Sequence, residues 1–176
     1  MTNDSNYKFV RYMDLAMDLV PAEESAVDDF AVYLLTMLGY VPRTRMARTP
    51  ERTSICGQQC HAKTDVCVVN ANDILLLVQE DKRHKERKNP EPLLIAEAIA
   101  AFQTNNTRRT RVLGQNAIDA KVIPGIILVG LSPTFYKIPI TAELAQAVEL
   151  VGLFPVTPTV VYAHLPVVPR PRSPSK

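Results

Sequence analysis

Acidic and basic side chains suited to a divalent-metal site flank an apolar stretch in the middle of the chain. Asp65 begins the segment DVCVV, and Glu80 and Lys82 follow the run ILLLV in the sequence QEDK. Mg²⁺, or Mn²⁺ in its place, prefers oxygen ligands, usually one or two carboxylates with water completing the shell. Such a metal polarises a phosphate and activates water, while a nearby ammonium stabilises the developing charge. These residue types point to metal-dependent phosphodiester hydrolysis, with Asp65 and Glu80 as ligands and Lys82 as the cation.

A β-hairpin is predicted to position these three residues. Residues 65–69 are rich in β-branched side chains, and residues 70–73 (NAND) have turn chemistry. Residues 74–78 form a continuous apolar run, which is typical of a strand buried on both faces. The hairpin therefore brings the start of its first strand next to the end of its second.

The register of this hairpin decides which side chains meet. A turn centred between Ala71 and Asn72 puts Asp65 opposite Val78, with Glu80 two residues further along on the same face. Alternation along a strand then puts Lys82 on the side of Glu80 as well. A different turn would slip the register by one residue, so that the pattern supports the site without proving it.

The rest of the chain predicts an α/β layer structure around a mixed sheet. A helix over Pro21–Tyr40 begins at a proline and ends at a glycine, and a shorter helix around Tyr7–Val20 is weaker. Thr141 has the chemistry of a helix N-cap. The other expected elements are a strand within 52–58, a helix over 93–106, strands over 123–130 and 134–141, a helix over 142–152 and a short strand within 157–165. Ser132 and Pro133 read as turn residues between the two middle strands.

Asp65 followed by Glu80-Asp81-Lys82 at the end of an apolar strand resembles the signature of the PD-(D/E)XK nuclease superfamily. The likeness covers about Pro21 to Leu131 and implies a restriction-endonuclease-like three-layer core, a mixed β-sheet flanked by helices. Its order is a helix, the hairpin carrying the acids, a helix and a strand. The segments VQEDKR, PEPLLIAEAIAAFQTNN, IPGIILVG and SPTFYKIPIT are also similar to fungal proteins of mushroom-forming species, a likeness that brings no function with it.

The resemblance suggests two further site residues. Gln103 lies on the helix after the E-x-K strand, where some branches of the superfamily carry a glutamine near the site. Glu24 could supply an additional acid from the first helix, although an N-terminal dipole partner explains it as well. The chain departs from the family pattern in two places. Thr64 rather than a proline precedes Asp65, although that proline is often missing in the superfamily, and the aromatic residue that follows the glutamine in some branches is absent after Gln103.

Basic residues cluster around the proposed site. They are Lys82, Arg83, Lys85, Arg87 and Lys88 directly after it, Arg108, Arg109 and Arg111 beyond the next helix, and Arg43, Arg45, Arg48 and Arg52 before it. They could contact a phosphate backbone of DNA or RNA, although charge runs are also common in solvated loops. Glu97 is the only charge inside an otherwise apolar helix, and a buried partner such as an arginine explains it as well as a function does.

The bulk composition restricts the function classes. A net charge of +2 over 176 residues gives a weak global field, so that nucleic-acid affinity must come from local clusters. No stretch approaches the roughly 20 apolar residues that cross a membrane, and the N-terminus lacks a secretory apolar core, which predicts an intracellular protein, cytoplasmic or nuclear. Residues 1–165 are expected to form one domain, followed by a proline-rich basic tail over 166–176.

Three cysteines fall within one short stretch, Cys56, Cys60 and Cys67. Cys56 and Cys60 have C-x3-C spacing beside His61, but a zinc site needs four ligands. Reduced strand cysteines are the better interpretation.

A metal-dependent nuclease is therefore the leading hypothesis. The alternatives are a catalytically inactive domain of the same fold that binds nucleic acid or a protein partner, and an unrelated α/β protein with a coincidental triad. The sequence does not decide whether the substrate is DNA or RNA, or whether it is single- or double-stranded. The oligomeric state is also open, and a homodimer is possible.

Overall fold

The computed structural model describes residues 2–17, 24–48, 53–55, 60–62, 65–70, 73–80, 89–150 and 155–166. Within these ranges the chain is an α/β protein with four helices and eight strands. The helices are α1 (Thr2–Met17), α2 (Glu24–Met37), α3 (Glu91–Arg111) and α4 (Ala142–Glu149). The strands are β1 (Arg45–Arg48), β2 (Thr53–Ile55), β3 (Cys60–Ala62), β4 (Val66–Asn70), β5 (Asp73–Glu80), β6 (Ala120–Val129), β7 (Ser132–Thr141) and β8 (Tyr162–His164). None of these helices has the length and apolarity needed to cross a membrane.

Six strands form one mixed sheet in the order β1-β4-β5-β6-β7-β8, and β2 pairs with β3 in a separate hairpin. β5 and β6 are parallel, from Leu77 opposite Gly125 to Glu80 opposite Leu128, whereas the other neighbours in the sheet are antiparallel. A parallel pair needs a crossover connection, and α3 lies within the segment that provides it. The hairpin of β2 and β3 packs against α3.

Each face of the sheet carries its own apolar core. On one face, α3 and α4 pack on β5, β6 and β7 through residues such as Leu77, Phe102 and Ile138. On the other face, α2 packs on β1, β4 and β5, and Leu35 belongs to the core there. α1 lies against α2, where the rings of Tyr12 and Tyr33 stack with centroids 4.9 Å apart. The sheet is therefore flanked by helices on both sides.

Most of the predicted elements are confirmed within the described residues. The helices around residues 7–20, 21–40, 93–106 and 142–152 correspond to α1 to α4, although the described part of α1 lies nearer the N-terminus. The hairpin and the strands near 123–130, 134–141 and 162–164 are also present. Thr141 caps α4 as expected, because its hydroxyl accepts from the amide of Leu144 at 3.1 Å.

One strand of the main sheet was not predicted. The strand expected within 52–58 contains β2, but β2 lies outside the main sheet. The first strand of the main sheet is instead β1, from an arginine-rich segment without a strand pattern. It pairs with β4 only, and an edge strand tolerates polar residues on its exposed side.

The turn between β6 and β7 also lies elsewhere than expected. Ser132 and Pro133 are the first residues of β7, and the turn is formed by Gly130 and Leu131. Gly130 has a φ of 57°, which a glycine adopts without steric cost and which suits a two-residue hairpin turn.

A buried asparagine completes the edge of β5. β6 pairs with β5 only from Leu77 onwards, so that Ile74 has no strand partner on that side in the described register. Asn105 of α3 supplies one: its Oδ1 accepts from the amide of Ile74 and its Nδ2 donates to the carbonyl of Ile74, both at 2.9 Å. Asn105 is only 1% exposed, so that its amide replaces a peptide group of a missing strand.

Gly125 permits α3 to approach β6 closely. A Cβ atom at this position would lie 2.9 Å from Cδ2 and 3.2 Å from Cγ of Leu94, a fully buried side chain. We expect Gly125→Ala to lower the free energy of unfolding by about 1–3 kcal/mol, as overpacking of a filled core does. Denaturant melts measure this loss. In a Leu94→Ala background the same substitution should cost clearly less, and an equal cost in both backgrounds would contradict the steric explanation.

Candidate functional site

The hairpin of β4 and β5 contains a β-bulge that changes the predicted register. Next to the turn, Asn70 lies opposite Asp73 and Val69 opposite Ile74, as a turn centred between residues 71 and 72 requires. The next pair is Val68 with Leu76, so that Leu75 is the additional residue of the bulge.

Beyond the bulge every pair is shifted by one residue. Val66 is opposite Val78, and the prediction that Asp65 lies opposite Val78 was wrong. The physical reason is that the bulge in β5 absorbs one residue of that strand. Asp65, just before β4, instead meets Gln79, whose Nε2 donates to Oδ2 of Asp65 at 2.9 Å.

The contact between Asp65 and Gln79 bears on whether Asp65 and Glu80 share one face of the sheet. Gln79 is 5% exposed and Asp65 is partly buried, so that their hydrogen bond lies at the margin of the core. Gln79 and Glu80 are consecutive strand residues, and consecutive residues of a strand alternate between faces. The shared face of Asp65 and Glu80 was derived from the predicted register, and the observed register removes that support.

Several predicted site residues cannot be compared with the structure. The backbone of Glu80 ends β5 opposite Leu128, but its side chain lies outside the described part of the chain, as does that of Glu24 at the start of α2. Lys82 lies outside the described residues altogether, together with Arg83, Lys85, Arg87 and Lys88. Among the side chains that are described, no group of three or more histidine, cysteine, aspartate or glutamate residues could hold a metal ion. A metal bound by Asp65 and Glu80 stays a prediction.

Gln103 lies in a different part of the molecule from the contact of Asp65. Its Nε2 donates to the carbonyl of Ala145 in α4 at 3.3 Å. It lines a groove of about 750 Å³ between α3 and α4, together with Arg108 and Arg111. The described contacts therefore direct Gln103 towards α4 and do not join it to Asp65.

Arg108 and Arg109 are held by contacts within the fold. Nη1 of Arg108 lies 3.3 Å from Oδ1 of Asp73, and both side chains are partly buried. Nε of Arg109 donates to the carbonyl of Asn116 at 3.2 Å. Asp73 begins β5 and Glu80 ends it, and a rise of about 3.3 Å per residue separates the two by roughly 20 Å. The phosphate contacts predicted for this pair would thus lie far along the strand from the proposed site.

Buried polar residues on α3 and β5 were only partly foreseen. Glu97 is 2% exposed, as a charge within an apolar helix suggested. Gln79 and Asn105 were not identified as important, although both are buried. Gln79 directly follows the apolar run ILLLV, a position that could have marked it, whereas Asn105 lies in the polar segment QTNN and carries no such signal. Cys67 is buried in β4, in agreement with its interpretation as a strand residue, whereas Cys56 and the side chain of Cys60 lie outside the described part.

Comparison with known proteins gives no match to any family model, curated protein or solved structure. The function of the chain must therefore be inferred from its own residues and topology. Two observations bear on the activity: the position of Asp65 beside β5, and the order of the helices and strands around it.

Proposed function

We propose that the chain is a metal-dependent nuclease that hydrolyses phosphodiester bonds of DNA or RNA. The observation that carries this proposal is the order of the elements around Asp65. Helix α2 is followed by β1, by the separate hairpin of β2 and β3, by the antiparallel strands β4 and β5, then by α3 and by β6 parallel to β5. Apart from the inserted hairpin of β2 and β3, this order resembles the helix, acid-bearing hairpin, helix and strand of the PD-(D/E)XK core, and it supports the proposal.

The position of Asp65 supports the same proposal. Asp65 directly precedes β4 and Glu80 ends β5, so that both residues lie at the same end of the hairpin. The carboxylate of Asp65 is partly exposed and lies within hydrogen-bond distance of the residue that precedes Glu80. An accessible carboxylate at a strand end has the donor chemistry that Mg²⁺ requires.

Each residue then has a separate role in hydrolysis. Asp65 and Glu80 would hold the metal, which supplies Lewis acidity towards a phosphate oxygen. Gln79 keeps the carboxylate of Asp65 in one orientation through its donated hydrogen bond. The ammonium of Lys82 would stabilise the negative charge that accumulates on the phosphate during the reaction.

The observed register favours a second candidate, a catalytically inactive domain of the same fold that binds nucleic acid or a protein. The bulge at Leu75 brings Asp65 opposite the amide of Gln79 and removes the support for a face shared by Asp65 and Glu80. A site that has lost activity would retain the fold and its binding surface.

Incubation of the purified protein with plasmid, single-stranded DNA and RNA distinguishes the two candidates. We expect cleavage of at least one substrate with Mg²⁺ or Mn²⁺ and none with a chelator, because metal activation is required. Tight binding without cleavage under any divalent metal would favour the inactive domain. Neither binding nor cleavage of nucleic acid would contradict the nuclease and leave, of the second candidate, only a domain that binds a protein.

A further inference from the structure

The sheet has an open groove on the face that carries α2. α2 packs on β1, β4 and β5, and the groove lies beside it over β6, β7 and β8. It has a volume of about 750 Å³ and an apolar floor that includes Val68, Leu76 and Ile126. Tyr40 and Arg45 line it on the side of α2 and β1, and β8 lines it on the opposite side. We call this cavity the sheet groove.

Aromatic and basic side chains alternate across the β7–β8 side of the sheet groove. Phe135 lies directly opposite His164, and Lys137 lies directly opposite Tyr162. Opposite residues of antiparallel strands share a face, with Cβ atoms about 4.5–5.5 Å apart. Phe135 and Tyr162 are 38% and 61% exposed. Two accessible rings thus stand diagonally to each other on one surface, and each lies directly opposite a basic residue.

The charge of the sheet groove is of one sign. Arg45 and Lys137 line it, and no aspartate or glutamate does so among the described residues. Over the whole chain 20 basic residues face 18 acidic ones, so that an all-basic lining is a local bias. Within the described part of the chain, neither Arg45 nor Lys137 forms an ion pair. These cations are available to an anionic ligand.

We infer that the sheet groove binds single-stranded nucleic acid. Bases would stack on Phe135 and Tyr162, while phosphates would meet Arg45 and Lys137, the combination of ring platform and basic groove that unpaired strands require. A duplex keeps the faces of its bases stacked and cannot use the rings in this way. A second copy of the chain fits less well, because symmetric contact of two such faces would bring like charges together.

This inference goes beyond the proposed cleavage site and does not depend on it. The sheet groove is lined by Tyr40 and by residues of β1 and of β4 to β8, and neither Asp65 nor Gln79 is among them. Binding there requires no metal. Binding in the sheet groove can therefore be measured in the presence of a chelator, where a metal-dependent nuclease would be inactive.

Fluorescence anisotropy with labelled oligonucleotides of about 12 nucleotides tests the inference, a length within the range that single-strand grooves cover. Oligo-dT, oligo-U and a matched duplex are titrated at low salt with EDTA. We expect the single strands to bind more tightly than the duplex. Tyr162→Ala should raise Kd about 10-fold, because one stacking ring is lost. Lys137→Gln should weaken binding and flatten its salt dependence, since one phosphate contact disappears.

Three variants serve as matched controls. Tyr162→Phe keeps the ring and should bind as wild type. Tyr7→Ala removes a 69% exposed tyrosine from α1, away from the sheet groove, and should have no effect on Kd. Lys121→Gln removes a lysine of β6 that lies opposite Ile140, a residue of the core beneath α3 and α4, and should also bind as wild type. Melting curves of all variants exclude loss of the fold as the cause.

Several results would overturn the inference. Wild-type affinity in both Tyr162→Ala and Lys137→Gln would place the binding elsewhere, and equal affinity for duplex and single strands would exclude base stacking. A dimer in sedimentation that Tyr162→Ala dissociates, without oligonucleotide binding, would assign the sheet groove to a second copy. Oligonucleotide binding in the groove without cleavage under any metal would instead support this inference while removing the proposed nuclease activity.

Discussion

Lys82→Ala and Asp65→Asn are each expected to lower the rate of phosphodiester cleavage by about 10²–10³ or more, with the fold intact. Loss of one charge-stabilising donor typically has this size, and loss of a metal ligand can exceed it. Asp65→Asn is the sharper change, because an asparagine oxygen can still accept the hydrogen bond of Gln79 while its charge is gone. Initial cleavage rates under Mg²⁺ measure the effect.

Matched surface variants give the controls for this experiment. Asp29→Asn on α2 and Lys121→Ala on β6 remove the same charges elsewhere, and both should cleave at the wild-type rate. Equal cleavage by Lys82→Ala, Asp65→Asn and wild type, purified identically, would reveal a contaminating nuclease or an unrelated site. A metal-dependent rise in Tm that Asp65→Asn abolishes would locate the metal independently of activity.

Asn105→Ala is expected to reduce the free energy of unfolding by about 2–4 kcal/mol, because it leaves both the amide and the carbonyl of Ile74 buried without this partner. Asn105 is 1% exposed, so that water has little access to replace the two hydrogen bonds. For a chain of this size the loss corresponds to a fall in Tm of roughly 5–15 °C. Denaturant and thermal melts at neutral pH measure it.

The neighbouring residue provides a matched control. Asn106 makes the same pair of hydrogen bonds with Ile118, at 3.0 and 2.9 Å, but it is only partly buried. Water can take over these bonds after Asn106→Ala, so that the loss should be well below that of Asn105→Ala. Equal losses in the two variants would show that burial of the β5 edge is not what makes Asn105 important.

Local sequence patterns determined most of the elements that surround the candidate site. The turn chemistry of residues 70–73 and the apolar run after it were sufficient to predict the hairpin, because both signals act over a few residues. Thr141 as the cap of α4 followed from side-chain chemistry alone. The α/β class followed from the alternation of helical and strand patterns along the chain.

The register of the hairpin was decided by the tertiary structure. The run ILLLV is apolar at every position, so that no alternation of polar and apolar residues fixes which side chain faces which core. A bulge at Leu75 therefore leaves apolar side chains on both faces of β5, with Leu75 itself partly buried. This single residue moved Asp65 from Val78 to Gln79 and removed the geometric support for its pairing with Glu80.

Long-range contacts decided the remaining features. β1 is a strand because β4 offers it an edge, although its own sequence RMAR does not predict one. Asn105 is buried because β6 leaves β5 unpaired at Ile74. The sheet groove exists because α2 packs over β1, β4 and β5 and leaves an apolar surface open over β6 to β8. Each of these features depends on which segments distant in the chain become neighbours in the fold. Local sequence patterns do not determine that.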